Sequence, residues 1–143
     1  MHIQRVMSGQ RQMAQALFTL LAEVLDEGAL AASDAYIDRI LEGGTFWAVA
    51  AVEQSTVVGG LTAHLLPMTR AEQSELLIYD VAVDESWQRR GVGKMLVDWV
   101  RKEASVEGVD SVFVLADNED AHAISFYKTI GGAGSPVTLF EWE

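Results

Sequence analysis

The residues best placed to do chemistry are the six that run from Gln88 to Gly93, in the order Gln-Arg-Arg-Gly-Val-Gly. They follow an apolar run that predicts a β-strand over residues 75–83 and precede a run that predicts a helix over residues 92–106. The first N–H groups of a helix have no partner within the helix, and the helix dipole adds partial positive charge there. Glycines allow a phosphate to approach the backbone closely. The loop therefore predicts a site for the pyrophosphate of a nucleotide-like cofactor, although an ordinary strand-to-helix turn would use the same residue types.

The basic residues are concentrated around this loop. The chain has 21 acidic and 10 basic residues, for a net charge of -11. Such a surface repels nucleic acid and anionic membranes and attracts cations, or it serves solubility alone. We therefore expect an anionic cofactor at the loop, a small polycationic amine as substrate, and neither nucleic acid nor membrane as partner. Half of the basic residues lie in the loop or in the helix after it: Arg89, Arg90, Lys94, Arg101 and Lys102.

A carboxylate interrupts the apolar strand before the loop. Asp80 stands between Tyr79 and Val81, where a charged group is costly unless it is paired or faces a cleft. In an acid–base site Asp80 would take a proton from an attacking amine. As a purely structural group it would be held by backbone N–H groups or by an arginine. Glu75, at the start of the same strand, is the second candidate base.

The bulk composition limits the class of protein. A chain of 143 residues, half of them hydrophobic and only two of them proline, predicts one domain with a real core over residues 1–143. The chain has no cysteine, and His2, His64 and His122 are far apart in sequence, so we expect no metal site. We see neither a secretory leader pattern nor an apolar run of about 20 residues, which makes a cytoplasmic location the expectation.

The apolar periodicity predicts an α/β fold with a mixed, mostly antiparallel sheet flanked by helices. Residues 75–116 should form a right-handed crossover between two parallel strands. Ser33 and Asp120 have the side chains of helix N-caps, and Glu53 to Thr56 predict a hairpin turn. The predicted elements are a strand over 3–6, helices from 8 or 9 to 25 and from 33 to 43, strands over 46–52, 57–66 and 75–83, a helix over 92–106, a strand over 111–116, a helix from 120 to 130 and a final strand over 137–142.

The pattern Gln-x-x-Gly-x-Gly between a strand and a helix resembles the acetyl-coenzyme A loop of the GCN5-related N-acetyltransferases. The order of elements also fits that fold over essentially the whole chain. The segment from Ala123 to Gly131 resembles the family's later motif, an aromatic pair before a turn glycine. One departure is visible, because Asp120 stands where many members carry Asn.

The resemblance implies acetyl-coenzyme A as cosubstrate, with no metal. One backbone N–H of the strand would polarise the thioester carbonyl, and Tyr127 would donate to the departing sulfur. The alternative for Tyr127 is a core aromatic residue on its helix. The residues that the resemblance assigns to the cofactor are Val81, Ala82, Val83, Gln88, Arg89, Arg90, Gly91, Val92, Gly93 and Lys94.

A narrower resemblance, over roughly residues 45 to 131, is to the type I aminoglycoside 3-N-acetyltransferases. It rests on the stretches 57–61, 65–67, 79–83, 89–91, 116–117 and 119–121. Those enzymes acetylate the 3-amino group of the 2-deoxystreptamine ring and inactivate the antibiotic. The resemblance implies Asp80 as base, with further residues that bind the substrate and anchor its other ammonium groups: Asp26, Glu27, Glu75, Tyr79, Asp117, Glu119, Asp120 and Glu141.

Three functions remain open from the sequence. The first is an aminoglycoside N-acetyltransferase, and the second is the same chemistry on a polyamine, a lysine side chain or a protein N-terminus. The third is an acyl-coenzyme A sensor without catalysis, which the presence of Asp80, Tyr127 and the loop disfavours. Proteins of this fold often pair through terminal strands, so a homodimer is a further expectation.

Overall fold

Five strands form one mixed sheet in the order β1-β2-β3-β4-β5, antiparallel throughout except for the parallel pair β4–β5. The computed structural model describes residues 1–25 and 31–143. The fold class predicted from the sequence is confirmed. The elements are β1 (His2–Arg5), α1 (Arg11–Val24), α2 (Asp34–Glu42), β2 (Phe46–Glu53), β3 (Thr56–Pro67), β4 (Ser74–Val83), α3 (Val92–Val106), β5 (Ser111–Val114) and α4 (Ala121–Thr129), with a 3₁₀ turn at Glu85–Trp87.

The sheet carries a hydrophobic core on each face. Buried side chains of α3, such as Leu96 and Val100, pack against Trp47 and Leu61 on one face. Leu17 of α1 belongs to the core on the other face, together with residues of α2. A Cβ atom at Gly60 of β3 would lie 2.1 Å from Leu17 Cδ1 and 2.7 Å from the Val49 carbonyl oxygen. The missing side chain thus lets α1 rest directly on the strand backbone.

The helix ends follow the predicted caps. Ser33 Oγ accepts a hydrogen bond from the Tyr36 N–H at 3.2 Å, and Asp120 Oδ1 accepts one from the Ala123 N–H at 3.0 Å. Helix α4 ends in a Schellman motif, in which Gly131 has a φ of 103° and Gly132 donates its N–H to the Tyr127 carbonyl. Both predicted N-caps are therefore confirmed.

An ion-pair network ties α1 to α2. Arg11 Nε donates to Asp38 Oδ1 at 2.9 Å, while Nη1 of the same guanidinium contacts Asp34. Gln15 also donates to Asp34, at 2.8 Å. The hydrogen bond and charge of Arg11 lower the pKa of Asp38, so the pair stays ionised at neutral pH. The network fixes the distance between the two helices on this side of the sheet.

Strand β4 contains a β-bulge at Tyr79. Thr62 of β3 pairs with Asp80, whereas the next residue, Ala63, pairs with Ile78. The extra residue changes which face each side chain occupies. Before the bulge Ile78 faces the core on the α3 side, and after it Val81 does so again. Two consecutive residues, Tyr79 and Asp80, consequently project to the face that carries α1 and α2.

The predicted final strand is wrong. Residues 132–143 form no regular element, and every residue from 131 to 143 is exposed. The run has strand-like composition, but a strand needs a hydrogen-bonded neighbour, and none of the described strands pairs with it. The helix expected from residue 8 or 9 begins at Arg11, and the strand expected to reach residue 116 ends at Val114. In the described ranges, no helix has the length and apolar character that a bilayer crossing requires.

Candidate active site

A cavity of about 440 Å³ lies between the α1–α2 layer and the sheet. Asp80 brings a carboxylate to a wall that is otherwise mainly aliphatic and aromatic. The β-bulge turns the Asp80 side chain towards the cavity, because in a regular strand this side chain would point to the opposite face of the sheet. The lining residues are Phe18, Leu21, Ala22 and Leu25 from α1 and its C-cap, Tyr36 and Ile40 from α2, Thr62 from β3, and Tyr79 and Asp80 from β4.

A row of aromatic rings leads along the sheet to the bulge. Phe18 and Phe46 meet edge to face with centroids 6.2 Å apart, and Phe46 meets the His64 ring at 5.6 Å. His64 in turn meets Tyr79 edge to face at 5.6 Å. The row orients Tyr79, whose side chain is otherwise largely exposed. Phe18, Phe46 and His64 are not among the site residues predicted from the sequence.

The register of β2 and β3 explains why that row was missed. Phe46 and His64 are direct partners across the two strands. If the pairing is counted regularly from the hairpin pair Glu53–Thr56, Phe46 is assigned a partner other than His64. The difference arises because a register shift lies next to Val52. A register shift of this kind leaves no clear mark in the residue types, so the pairing could not be read from the sequence.

The loop before α3 presents free backbone donors. Gly91 is the N-cap of α3 in the left-handed conformation, with a φ of 83°, and it offers no side-chain cap. Within the described ranges, no acceptor receives the N–H groups of Val92, Gly93 or Lys94, and the first helical bond runs from the Met95 N–H to the Gly91 carbonyl at 3.0 Å. Nothing lies within 4 Å of a Cβ placed on Gly91. An anion can therefore reach these donors directly.

The loop is held against the end of β4. The Gln88 side-chain amide donates to the Val83 carbonyl at 2.9 Å, which makes Gln88 a positioning residue for the turn. The Arg90 guanidinium lies 4.9 Å from the centroid of the Trp87 ring. Lys94 pairs with Asp98 one turn further along α3. These contacts place two cationic groups beside the exposed helix N-terminus.

The edge of β4 is open between the bulge and the loop. Pairing of β4 with β5 runs from Glu75–Ser111 to Ile78–Val114 and stops there. Beyond this point, residues 81–83 pair with β3 on one side only, among the strands that the structure describes. Main-chain groups on the other side can pair with an extended amide-containing ligand. Together with the loop, this arrangement fits the pantetheine and pyrophosphate parts of acetyl-coenzyme A.

Tyr127 stands near the same opening. A Cβ on Gly93 would lie 2.9 Å from Phe126 Cζ, so α4 packs directly on the first turn of α3. Burial raises the pKa of Tyr127 above its ordinary value of 10.0, and the negative charges of Asp120 and then Asp80 raise it further. The phenol therefore keeps its proton at neutral pH and is a hydrogen-bond donor. Asp120 contributes both the cap of α4 and this charge.

The remaining predicted substrate residues do not line the cavity. Glu75 lies at the far end of β4, five residues before Asp80, or about 16 Å along the strand. Asp117 and Glu119 lie in the exposed loop before α4, where Asp117 Oδ1 accepts the Glu119 N–H. Glu141 lies in the exposed C-terminal segment. Their roles stay predictions, and Asp26 and Glu27 fall outside the described residues.

Residues 12–131 match the acetyltransferase (GNAT) family, and the chain belongs to that family. The class of protein expected from the sequence is thereby confirmed. An aminoglycoside acetyltransferase from an uncultured soil metagenomic sample, meta-AAC0020, solved with sisomicin, has 28% identity and a TM-score of 0.95, with 99% of this chain and 95% of that chain covered. The aminoglycoside N-acetyltransferase AAC(6')-Iy, solved with CoA, has 14% identity and a TM-score of 0.83, with 99% and 93% covered, and shares the fold alone.

Sequence comparison gives a different kind of relative. The [ribosomal protein bS18]-alanine N-acetyltransferase of Salmonella typhimurium (strain LT2) is 31% identical over 64 residues, which is 45% of this chain and 43% of the relative. The matched region thus spans about half the length of the curated relatives of this kind. The similar proteins are thus named for two kinds of acceptor, an aminoglycoside and an alanine of a ribosomal protein.

Gly91→Ala tests the cofactor loop. We expect it to destabilise the fold by about 1–2 kcal/mol, because alanine disfavours the left-handed conformation. It should also weaken binding of coenzyme A roughly 5- to 30-fold, as measured by titration calorimetry, because the backbone donors lose their alignment.

Gly108→Ala is the matched control. Gly108 follows the other end of α3, has a φ of 78°, and leaves equally open space for an added methyl group. We expect a similar stability loss in urea unfolding and unchanged affinity for coenzyme A. Equal affinities in the two variants would contradict the assignment of the loop.

Proposed function

We propose that this chain transfers the acetyl group of acetyl-coenzyme A to an amino group of an aminoglycoside antibiotic, the 3-amino group of 2-deoxystreptamine, and so confers resistance. The observation that carries the proposal is the position of Asp80. The bulge places its carboxylate in the wall of a cavity of small-molecule size, on the strand whose open edge leads to the cofactor loop. Protein pockets for small ligands commonly measure about 300–1,000 Å³.

Asp80 is the proposed general base. An amine with a lysine-like pKa of about 10.4 is protonated at pH 7, and neutralising it costs about 4.6 kcal/mol. The Asp80 carboxylate takes the first proton from the ammonium group, directly or through a water molecule, and passes it to solvent, so that the neutral nitrogen can attack the thioester carbonyl carbon. The second proton leaves the nitrogen as the tetrahedral intermediate breaks down, and it reaches solvent by the same route. The aromatic row ends at Tyr79, whose ring contacts His64 and which precedes Asp80 in the strand. A base held in this way acts on an amine that the cavity has already oriented.

Two further groups serve the thioester. A backbone N–H of residues 81–83 polarises its carbonyl oxygen as the carbon–nitrogen bond forms. The Tyr127 phenol, which is protonated at neutral pH, gives its proton to sulfur as the carbon–sulfur bond breaks, and solvent restores that proton. The products are the N-acetylated amine and coenzyme A.

The acceptor is proposed from charge and structural likeness together. The chain carries a net charge of -11, which favours a substrate with several ammonium groups. The likeness to an aminoglycoside acetyltransferase extends over 99% of the chain, whereas the match to the Salmonella protein extends over 45%. That second likeness supports an alternative acceptor, the N-terminal amine of a protein.

Release of coenzyme A across a set of amines tests the proposal. The set contains gentamicin-type and kanamycin-type drugs, spermidine, and a peptide with an N-terminal alanine. We expect fast release with at least one class of drug, and product NMR should place the acetyl group on the 3-amino nitrogen. Release of coenzyme A with the peptide alone would indicate that the acceptor is a protein N-terminus and not an aminoglycoside. Coenzyme A binding without release from any amine would indicate a sensor.

Asp80→Asn tests the base in the same assay. We expect kcat to fall about 10²- to 10⁴-fold with unchanged affinity for coenzyme A, because only the proton acceptor is lost. Glu75→Gln is the control, since Glu75 is the second candidate base on the same strand, and it should keep nearly full turnover. Normal turnover of Asp80→Asn at neutral pH would exclude Asp80 as the base.

Tyr127→Phe tests the proposed acid. We expect kcat to fall about 10²-fold or more, with a smaller rise in KM. Because the pKa of Tyr127 is raised above 10.0, loss of its proton should cause no decline in the wild-type kcat that is centred below pH 10. Tyr36→Phe, in the cavity wall, is the control and should keep kcat. A decline centred below pH 10 that vanishes in Tyr127→Phe would contradict this pKa shift.

A further inference from the structure

Thr62 of β3 places a hydroxyl on the sheet side of the cavity. Within the residues that the structure describes, Thr62 is the only buried polar residue, with 7% of its surface exposed. Its neighbours Leu61 and Ala63 belong to the core on the α3 face. Because side chains alternate along a strand, Thr62 projects to the face that carries α1 and α2, where it lines the cavity. A polar group therefore occupies a position that a valine of the same shape would fill without a hydroxyl.

The Thr62 hydroxyl opens into the cavity. Buried polar groups in proteins normally have a hydrogen-bond partner. In residues 1–25 and 31–143, no protein group forms a hydrogen bond with this hydroxyl. None of the buried side-chain nitrogen and oxygen atoms in these ranges is both sealed from solvent and unpaired. The hydroxyl is therefore reached from the cavity, and a molecule bound there can supply its partner.

Thr62 lies directly across from the proposed base. Thr62 and Asp80 are partners in the pairing of β3 with β4, and the register shift of the β-bulge follows immediately. Side chains at directly opposite positions typically have Cβ atoms about 4.5–5.5 Å apart. Both residues line the cavity, so both side chains lie on the same face of the sheet. The hydroxyl and the carboxylate are thus neighbours, close enough for one nitrogen atom to contact both.

Small neighbours leave room in front of the Thr62 hydroxyl. On the side of β2 its partner is Ala48, which extends no further than a methyl group. Two residues earlier in β3, Gly60 is the point at which Leu17 of α1 rests on the sheet. Helix α1 thus contacts the sheet beside Thr62, and the space in front of Thr62 belongs to the cavity. An amino group can enter this space.

We propose that Thr62 is a specificity-determining residue, and that its hydroxyl oxygen accepts a hydrogen bond from the same nitrogen whose proton Asp80 removes. The inference rests on the proposed acetyl transfer and names a further contact to its acceptor. A primary ammonium group has three N–H bonds, so it can donate to the carboxylate and to the hydroxyl at once. A hydroxyl oxygen has two lone pairs and can accept such a bond.

The hydrogen bond to Thr62 matters most after Asp80 has taken the first proton. The neutral amine then keeps two N–H groups, and one of them stays bonded to the hydroxyl. This bond holds the nitrogen in place while its lone pair attacks the thioester carbonyl carbon. A ligand that cannot donate to Thr62 leaves a buried polar group unpaired, which lowers its affinity. Thr62 therefore orients the amine and favours acceptors that can donate to it.

Thr62→Val tests this contact, because valine keeps the shape of threonine and removes the hydroxyl. With the gentamicin-type and kanamycin-type drugs, spermidine and the N-terminal alanine peptide as probes, we expect kcat/KM for the accepted amine to fall about 10- to 100-fold. This is the loss expected for one hydrogen bond to a charged group. Affinity for coenzyme A should not change. The urea midpoint should be unchanged or higher, because no described protein group loses a partner.

Two further variants separate the contact from a structural role. Thr62→Ser keeps the hydroxyl and should restore most of kcat/KM. Thr56→Val makes the same substitution at an exposed residue of the same strand, and it should change neither kcat/KM nor coenzyme A affinity.

The outcomes distinguish this inference from the proposed function. If the wild type releases coenzyme A with an amine and Thr62→Val does so with equal kcat/KM, the inference alone is rejected. A lower urea midpoint in Thr62→Val that accompanies its loss of activity would assign the hydroxyl to the fold and would also reject the inference alone. If the wild type releases coenzyme A with none of the probes, the proposed function fails and the inference fails with it.

Discussion

The extra residue at position 79 of β4 is the constraint on which the site depends. A strand alternates its side chains strictly, so one inserted residue reverses the faces of everything beyond it. Here the reversal returns Val81 and Val83 to the α3 core and leaves Tyr79 and Asp80 together on the other face. The parallel pairing of β4 with β5 also ends at this point. One bulge thus directs a carboxylate into the cavity and opens an edge for an extended ligand.

The two charged regions of the molecule have complementary roles. The start of α3, with the left-handed Gly91, unpaired backbone donors and nearby arginines, suits a pyrophosphate. The rest of the surface is strongly acidic and suits a cationic acceptor. The open edge of β4 connects the two regions. Burial, and after it the negative charges of Asp120 and Asp80, raise the pKa of Tyr127 and keep the phenol protonated at neutral pH.

The sequence predicts those parts of the fold that follow from local chemistry. The bounds of α3, the caps at Ser33 and Asp120, and the strand–loop–helix setting of the cofactor site all follow from residues close together in the chain. The bulge left no clear sign in the residue types, because Val81 and Ala82 are both apolar and belong to the cores on opposite faces of the sheet. The aromatic row depends on register shifts between strands, which single residues do not specify. Val137 to Trp142 have strand propensity, but none of the described strands pairs with them.

Amide hydrogen exchange, followed by NMR residue by residue with and without coenzyme A, tests the central role of the bulge most directly. We expect Leu77 and Ile78, between β3 and β5, to be protected in both states. At least one amide of residues 81–83 and those of residues 92–94 should exchange rapidly in the free chain and become protected when coenzyme A binds. Full protection of residues 81–83 without coenzyme A, or no change at residues 92–94 on binding, would contradict this role.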